Sequence, residues 1–409
     1  MSEWISKELS QIAKITKGQQ LNKTCLFSHG DYYVLNGGVE PSGYYDKWNT
    51  EANTISISEG GNSCGYVNYN SERFWSGGHC YSLSKINDIS TECLFHILKY
   101  RQSDIMALRV GSGLPNIQRK ALSSFELFFP LDAHEQDEIT RVLSKIDTVI
   151  CKTKAIIDKY KALKEGLMQD LLANGIDENG VIRSPKTHKY KDSPLGKIPV
   201  EWDVFPLSDI TEKIADRDHT TPVYVNSGVP IISPKDFDED ENISFEKCCY
   251  ISYEAHLINR KKTDIKPLDI IFTRIGAGLG KSCVVTESMP EFSILHSAAL
   301  IRANNKVLPC FLMYTMKSFY FQKQIYNGIQ SIGVPDLGID KIAALSVKMP
   351  EDKNEQDKIQ LILNSITDKT MSEKRSLDKL IRLKMGLMQD LLTHQVSVEP
   401  LLERSVENE

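Results

Sequence analysis

The sequence predicts a mixed α/β (α+β) protein built twice, as two globular parts in tandem that are each followed by a long α-helix. Three observations predict it. Gly166-Leu167-Met168-Gln169-Asp170-Leu171-Leu172 recurs letter for letter as Gly386-Leu387-Met388-Gln389-Asp390-Leu391-Leu392, and at that offset of 220 residues, 20 of the 43 positions in 130–172 match 350–392. Both stretches space their apolar residues in steps of three and four, which is helical spacing. The regions before them hold short β-rich runs between glycine-rich turns. Such a repeat marks one duplicated structural unit.

The first globular part, 1–130, opens with Trp4 and Leu9-Ser10-Gln11-Ile12 and closes with Gly113-Leu114-Pro115-Asn116-Ile117. The second, 191–350, opens with Trp202 and Leu207-Ser208-Asp209-Ile210 and closes with Gly333-Val334-Pro335-Asp336-Leu337. Between these edges the two sequences diverge almost completely. Strands are predicted at 53–58, 270–273, 284–286 and 298–302, and one amphipathic helix late in each part, at 91–100 and 309–326. A fixed frame with different interiors is the pattern of two readers on one scaffold.

The first long helix, 131–175, carries apolar residues at Ile139, Leu143, Ile146 and Ile157, with Thr153 filling a missing turn. The second, 351–395, carries Ile359, Leu363, Ile366 and Leu377, with Thr370 and Glu373 in the seam. Asp132 and Asp352 are placed as N-caps, with Glu135 and Glu355 completing capping boxes. Toward the ends both stripes shift register, to Leu163, Leu167 and Leu171 and to Leu383, Leu387 and Leu391. About 40 helical residues span ~60 Å. So narrow a stripe on so long a helix needs a partner. The simplest partner is the other copy, giving an antiparallel coiled-coil spacer with pseudo-two-fold symmetry; the alternative is a core helix inside each globular part. Asn174-Gly175 stops the first helix. Residues 176–190 are expected to be a linker and 396–409 a frayed tail.

Composition narrows the class. There are 49 Lys and Arg against 54 Asp and Glu, for a net charge of −5. No apolar run is long enough to cross a membrane, and the N-terminus has no secretory pattern. Nine cysteines without a Cys-x-x-Cys pair point to free thiols in the cytoplasm. No metal site is expected.

The layout resembles the specificity subunit of type I restriction–modification systems. The residues that carry the resemblance are Pro130 with Glu135-Gln136, Pro350 with Glu355-Gln356-Asp357-Lys358-Ile359, the Gly-Leu-Met-Gln-Asp-Leu-Leu ends, Asp177-Glu178-Asn179-Gly180 and Lys191-Asp192-Ser193-Pro194-Leu195-Gly196. In the second part they are Gly228-Val229-Pro230-Ile231-Ile232 and Asp269-Ile270-Ile271-Phe272-Thr273-Arg274-Ile275-Gly276. The resemblance implies two target recognition domains, each reading half of a split sequence in double-stranded DNA. It implies helices that space the half-sites and dock two methyltransferase subunits, with restriction subunits joining them. S-adenosylmethionine, ATP and Mg²⁺ then belong to those partners, and this chain carries no catalytic residue or cofactor.

Base edges are best read by Arg or Lys on guanine and by Asn or Gln on adenine. The candidates in the first part are Lys17, Gln19, Gln20, Asn36, Asn62, Asn116, Gln118, Arg119 and Lys120. In the second they are Arg217, His219, Lys235, Thr273, Arg274, Lys281 and Gln330. The two parts are electrically balanced: residues 1–130 hold 12 basic and 12 acidic residues, and 191–350 hold 18 and 20. Because phosphate contacts supply much of DNA affinity, such domains should bind weakly without partners.

Two other readings stand beside this one. Pro335-Asp336 followed by Glu351-Asp352-Lys353 matches the carboxylate and lysine pattern of Mg²⁺-dependent nucleases, although the first copy has Asn116 where the second has Asp336. A self-contained nuclease would use Asp336, Glu351 and Lys353. A protein-binding scaffold that ignores DNA is the third class. The run Gly276 to Ser282 resembles a phosphate-binding loop, but the spacing requires glycine at 275, where Ile275 stands.

Overall fold

The computed structural model describes residues 3–111, 113–276, 278–328 and 335–398. The chain divides into two compact units, residues 1–156 with 373–409 and residues 157–372. Each unit therefore combines one globular part with the first stretch of its own long helix and the last stretch of the other.

In the first unit β1 (Trp4–Glu8) runs into a single helical turn, α1 (Leu9–Ile12), and then β2 (Lys14–Lys17). There follow β3 (Tyr32–Leu35), β4 (Gly43–Tyr45), β5 (Thr54–Ser58), β6 (Val67–Asn70), β7 (Trp75–Ser76) and β8 (Cys80–Ser84). Three helices, α2 (Thr91–Tyr100), α3 (Gln102–Ala107) and α4 (Arg119–Ser123), precede β9 (Glu126–Pro130) and the long α5 (Ala133–Asn174). The sheets have the orders β2-β8-β5-β6, β4-β3-β7 and β1-β9. Every pairing is antiparallel except the parallel β3–β7.

The second unit holds the hairpin β10 (Tyr190–Ser193) and β11 (Gly196–Pro199), then β12 (Trp202–Pro206), β13 (Thr211–Asp216), β14 (Tyr224–Val225), β15 (Val229–Ile232) and β16 (Cys249–Ile251). After α6 (Tyr253–Arg260) come β17 (Ile270–Thr273), β18 (Ser282–Val284), β19 (Ser293–Ile294) and β20 (Ala298–Ala303). The helices α7 (Pro309–Lys317), α8 (Phe319–Gly328) and α9 (Ile339–Ala343) lead to β21 (Ser346–Pro350) and the long α10 (Lys353–Leu392). Its sheets run β13-β20-β17-β18, β14-β16-β15-β19 and β12-β21. The parallel pair is β15–β19, the counterpart of β3–β7. Two interiors with little sequence in common thus share their strand order, except that the second adds β14 at a sheet edge.

The single helix expected at 309–326 is two helices. Ser318 between them is extended (ψ 151°), and its hydroxyl donates to the Thr315 carbonyl at 2.6 Å. The strand expected at 284–286 lies at Ser282–Val284.

The repeated Glu-Gln pair has a physical reason. Gln356 is fully buried; its amide donates to the Pro350 and Lys306 carbonyls at 2.9 and 3.0 Å and accepts from the Leu308 N–H at 2.8 Å. Gln136 does the same with Pro130, Asp88 and Ser90 at 2.9, 2.9 and 2.8 Å. Each glutamine pins the preceding strand and a loop of its globular part to the helix start, and satisfies polar groups that would be costly to bury alone. The glutamates reach partners far along the chain. Glu355 accepts from the Trp202 indole at 3.0 Å, from the Ile176 N–H at 3.0 Å, and from both terminal nitrogens of Arg183 at 2.5 and 3.0 Å. Glu135 accepts from the Trp4 indole at 3.3 Å, with the His394 ring at 3.8 Å. Asp132 and Asp352 do cap, at 3.1 and 2.9 Å from the N–H two residues on.

Within 176–190, Ile176 and Arg183 are buried, and most of the remaining residues are exposed. Gly175 cannot be replaced there: its φ is +66°, and a Cβ would meet a Glu355 oxygen at 2.2 Å. Of the expected tail, Val398 is buried in the first unit's core, and 399–409 lie outside the described residues.

Along the long helices Ile139, Leu143, Ile146, Ile157, Ile359, Leu363 and Ile366 are buried, as is Thr153. Leu167 and Leu387 pack partly buried against the cores, and Leu377 is half-buried. The shifted stripe is only half realised: Leu171 and Leu391 are buried, but Leu163 and Leu383 are exposed. Ile139 and Leu143 share a core with Met388, Leu391 and Leu392, and Lys384 bonds Asp147 at 2.5 Å. Leu171 and Leu172 share a core with Ile359 and Leu363. No helix among the described residues is long and apolar enough to cross a membrane. All nine cysteines are free thiols.

One buried group makes the first unit acid-sensitive. His96 of α2 faces Ser144 Oγ at 3.1 Å, with Asp147, Lys384 and Glu92 as its charged neighbours. Burial, more than any of these charges, pushes its pKa down to about 4. An unfolded histidine titrates near ~6.5. The neutral ring therefore contributes its full stability above that pH and loses it as the pH falls toward 4, by at most about 3 kcal/mol. Chemical unfolding of His96→Gln across pH 4–7 should show a shallower acid limb than the parent protein. An unchanged limb would remove His96 from the account.

Candidate nucleic-acid interface

At one end of the β2-β8-β5-β6 sheet and of the β13-β20-β17-β18 sheet, loops from distant parts of the sequence meet around a single charged residue. In the first unit it is Glu59, immediately after β5. Its Oε1 accepts from Lys17 at 2.6 Å and from the Tyr81 hydroxyl at 3.0 Å, and His79 lies 3.8 Å from Oε2. Burial, reinforced by the Glu59 bond, pushes the Tyr81 hydroxyl up to about 12. Gly60 bridges Asn116, and the Gly61 N–H donates to the Pro115 carbonyl at 3.0 Å.

In the second unit the corresponding residue is Arg274, immediately after β17. Its Nε donates to the Leu337 carbonyl at 2.9 Å, Nη1 to the His296 carbonyl at 2.8 Å, and Nη2 to Asp336 at 2.8 Å. Asp216, at the end of β13, lies 3.3 Å from Nη1. Ile275 bridges Asp336 as Gly60 bridges Asn116. Glu59 and Arg274 thus hold the same set of loops with opposite charge: Lys17 in one answers Asp216 in the other, and the turn before β8 answers that before β20. Gly61 and Gly276 both have positive φ, 78° and 95°, a conformation that glycine alone adopts without cost.

The first-domain candidates gather on these loops. Lys17 is tied to Glu59 and is not a free cation. Gln19 and Gln20 are exposed beside the 75–79 turn, where the Trp75 indole donates to the Gln19 carbonyl at 2.8 Å. Gln20 and Asn36 line a surface cavity of about 650 Å³ with Asn22, Lys23 and Phe27. Asn62, Asn116 and Gln118 are exposed. Arg119 and Lys120 are exposed on α4, and Arg119 shares a hollow with Lys14 and Lys85 rather than with Glu59.

In the second unit the candidates divide. His219 is exposed, with its ring 5.0 Å from His296 and Nε2 3.6 Å from Asp216. Arg217 is buried beside them. Lys235 is exposed near Cys249 Sγ, at 3.5 Å. Three expectations meet a different arrangement. Thr273 is fully buried and its hydroxyl bonds within the turn, to the Gly278 carbonyl and from the Lys281 N–H. Arg274 is 3% exposed with each of its nitrogens engaged, so it organises the loops and offers no base-reading fork. Lys281 reaches back to the Phe237 and Asp238 carbonyls at 3.4 and 3.2 Å. Gln330 lies outside the described residues.

Of the nuclease pattern, Asp336 is bound to Arg274, and Glu351 and Lys353 are exposed where α10 begins. Among the described residues no group of three or more His, Cys, Asp or Glu is placed to hold a metal ion. β17 and β18 pair as an antiparallel hairpin.

Sequence reasoning missed Glu59, Asp216 and His296. Asn116 and Asp336 occupy equivalent closing motifs, so tracing their partners leads to both hubs. The reversal of charge hides the match from any comparison of residue types.

The duplicated frame defines a tandem-domain protein whose two interiors present different chemistry on the same loops. The sequence profile of the type I restriction modification DNA specificity domain matches residues 1–161 and 199–382, and the chain belongs to that family. It is 24% identical over 318 residues to the type I restriction enzyme MjaVIII specificity subunit of Methanocaldococcus jannaschii, covering 75% of this chain and 71% of that one. It is 32% identical over 164 residues to a putative type I specificity subunit of Mycoplasma genitalium, covering 40% of this chain. That match spans 43% of the relative's own length, less than half. The crystal structure of the S subunit of a type I restriction–modification system from M. genitalium shares the fold, with a TM-score of 0.65 at 21% identity over 96% of both chains.

Proposed function

We propose that this chain is the DNA-recognition subunit of a type I restriction–modification complex. Each target recognition domain, 1–130 and 191–350, reads one half of a bipartite target. Two methyltransferase subunits and the restriction subunits dock on the chain and supply the S-adenosylmethionine, ATP and Mg²⁺ chemistry. The observation that carries this reading is the pair of equivalent loop clusters, held by Glu59 in one domain and Arg274 in the other. Given the family, one frame that presents two different sets of polar side chains is what a split target requires. In the first domain Gln20, Asn36, Asn62, Asn116 and Gln118 offer carboxamides suited to adenine edges. In the second, His219 and Lys235 stand exposed.

The long helices are the spacer, paired antiparallel with pseudo-two-fold symmetry. Support comes from the residue pairs that share a core, 143 with 388 and 171 with 359, whose numbers rise on one helix as they fall on the other.

Near-neutral domains need partners to hold DNA. Measured with a duplex carrying the target, affinity should be weak for the chain alone. It should become strong and salt-sensitive once the methyltransferase subunit is added. Absence of salt-sensitive binding with that partner present would favour a protein scaffold, and plasmid cutting by the chain alone would favour a nuclease.

A further inference from the structure

Arg217 is a buried guanidinium with no carboxylate in contact, Asp218 acting on it only at a distance. It is 9% exposed, and among the described residues no Asp or Glu forms an ion pair with it. The nearby acids are committed elsewhere: Asp216 to Arg274 and His219, and Asp218 to Lys262. Its Nε donates to Asn259 Oδ1 at 2.8 Å and Nη2 approaches Thr220 Oγ1 at 3.4 Å, while Nη1 has no partner and no solvent contact. Beside it His296 Nδ1 and Ser297 Oγ are also buried without partners. A buried charge left unpaired is strongly unfavourable. A water molecule could take the hydrogen bond but would not neutralise the charge. What is missing is an anionic oxygen.

We propose that Arg217, flanked by His219 and His296, seats a non-bridging oxygen of a DNA phosphodiester bound by the second domain. The assignment rests on the DNA-reading function above. A backbone phosphate fits better than a base edge, because reading guanine takes two free donors of one fork, whereas Asn259 holds Nε and Thr220 meets Nη2, leaving only Nη1 free. His219, 62% exposed, is the solvent-facing member of the cluster, its ring 5.0 Å from that of His296. The first domain has no counterpart. Gly18 follows Lys17 there, and a Cβ on it would meet the Gly77 carbonyl at 2.3 Å.

The test uses the chain assembled with its methyltransferase subunit and compares the parent with Arg217→Gln and His219→Gln. The probes are a duplex carrying the target, a duplex without it, and inorganic phosphate. Arg217→Gln should weaken binding to both duplexes alike, by roughly tenfold or more. It should also lower the slope of log affinity against log salt by about one. His219→Gln should act in the same direction, and it decides the matter if Arg217→Gln does not fold. Loss confined to one base position would make Arg217 a base reader and overturn the proposal, as would unchanged affinity for either duplex. Stabilisation of the parent but not of Arg217→Gln by phosphate, with DNA affinity unchanged, would assign the site to a free anion instead. A parent complex that binds no DNA would overturn the function itself, which is a different result from a variant that binds as the parent does.

Discussion

Glu355→Ala should unfold the second unit under conditions where the parent chain is stable. The carboxylate is 7% exposed and joins the Trp202 indole, the Ile176 N–H and the Arg183 guanidinium, itself 7% exposed. Removing one member of a buried ion pair costs about 3–5 kcal/mol, because the other charge stays behind. That is a large share of the roughly 5–15 kcal/mol that stabilises a folded protein. Trp202 is fully buried, so its fluorescence reports the transition. The double variant Arg183→Ala, Glu355→Ala should lose less than the sum of the single losses, since it leaves no orphan charge. A Glu355→Ala midpoint within experimental error of the parent would mean that the clamp does not hold the unit together.

Arg274→Ala should disable the second domain's loop cluster as a whole. The change strands the Leu337 and His296 carbonyls and frees Asp216 and Asp336 from their common cation. The loss should be about 3 kcal/mol or more. Arg274→Lys should rescue little, because one ammonium cannot reproduce a fork aimed at three acceptors. Hydrogen exchange should show lost protection at the Leu337 N–H, which donates to the Arg274 carbonyl, while strands of the first domain keep theirs. A variant that folds normally and changes one base of the target would instead make Arg274 a direct reader.

These two residues show what the sequence makes legible. Glu355 belongs to the repeat, so its importance is visible there, but its spacing from Asp352 points to a capping box. The distinction depends on Trp202 and Arg183, which lie 153 and 172 residues away. Arg274 is a base-reading candidate by residue type, because arginine suits guanine edges. Its burial arises from Asp216, His296 and Asp336, three loops that the strand order brings together and that no local pattern connects. The seam of the long helices was legible at 139, 143, 359 and 363, where spacing alone dictates the buried face. It was not legible at Leu163 and Leu383, where the direction in which the neighbouring elements pack decides which side is covered. The common topology of the two interiors was hidden for the same reason that Glu59 and Arg274 do not align. The frame needs a charged hub and partners of opposite sign, and either sign serves.

The central claim is that the two domains read two halves of one DNA target. Sequencing of modified bases in the source genome, with and without this gene, tests it most directly. The account predicts methylated adenine at a split motif, two short half-sites around a fixed gap, that disappears when the gene is removed. An expressed system whose modification pattern is the same with and without the gene would contradict it.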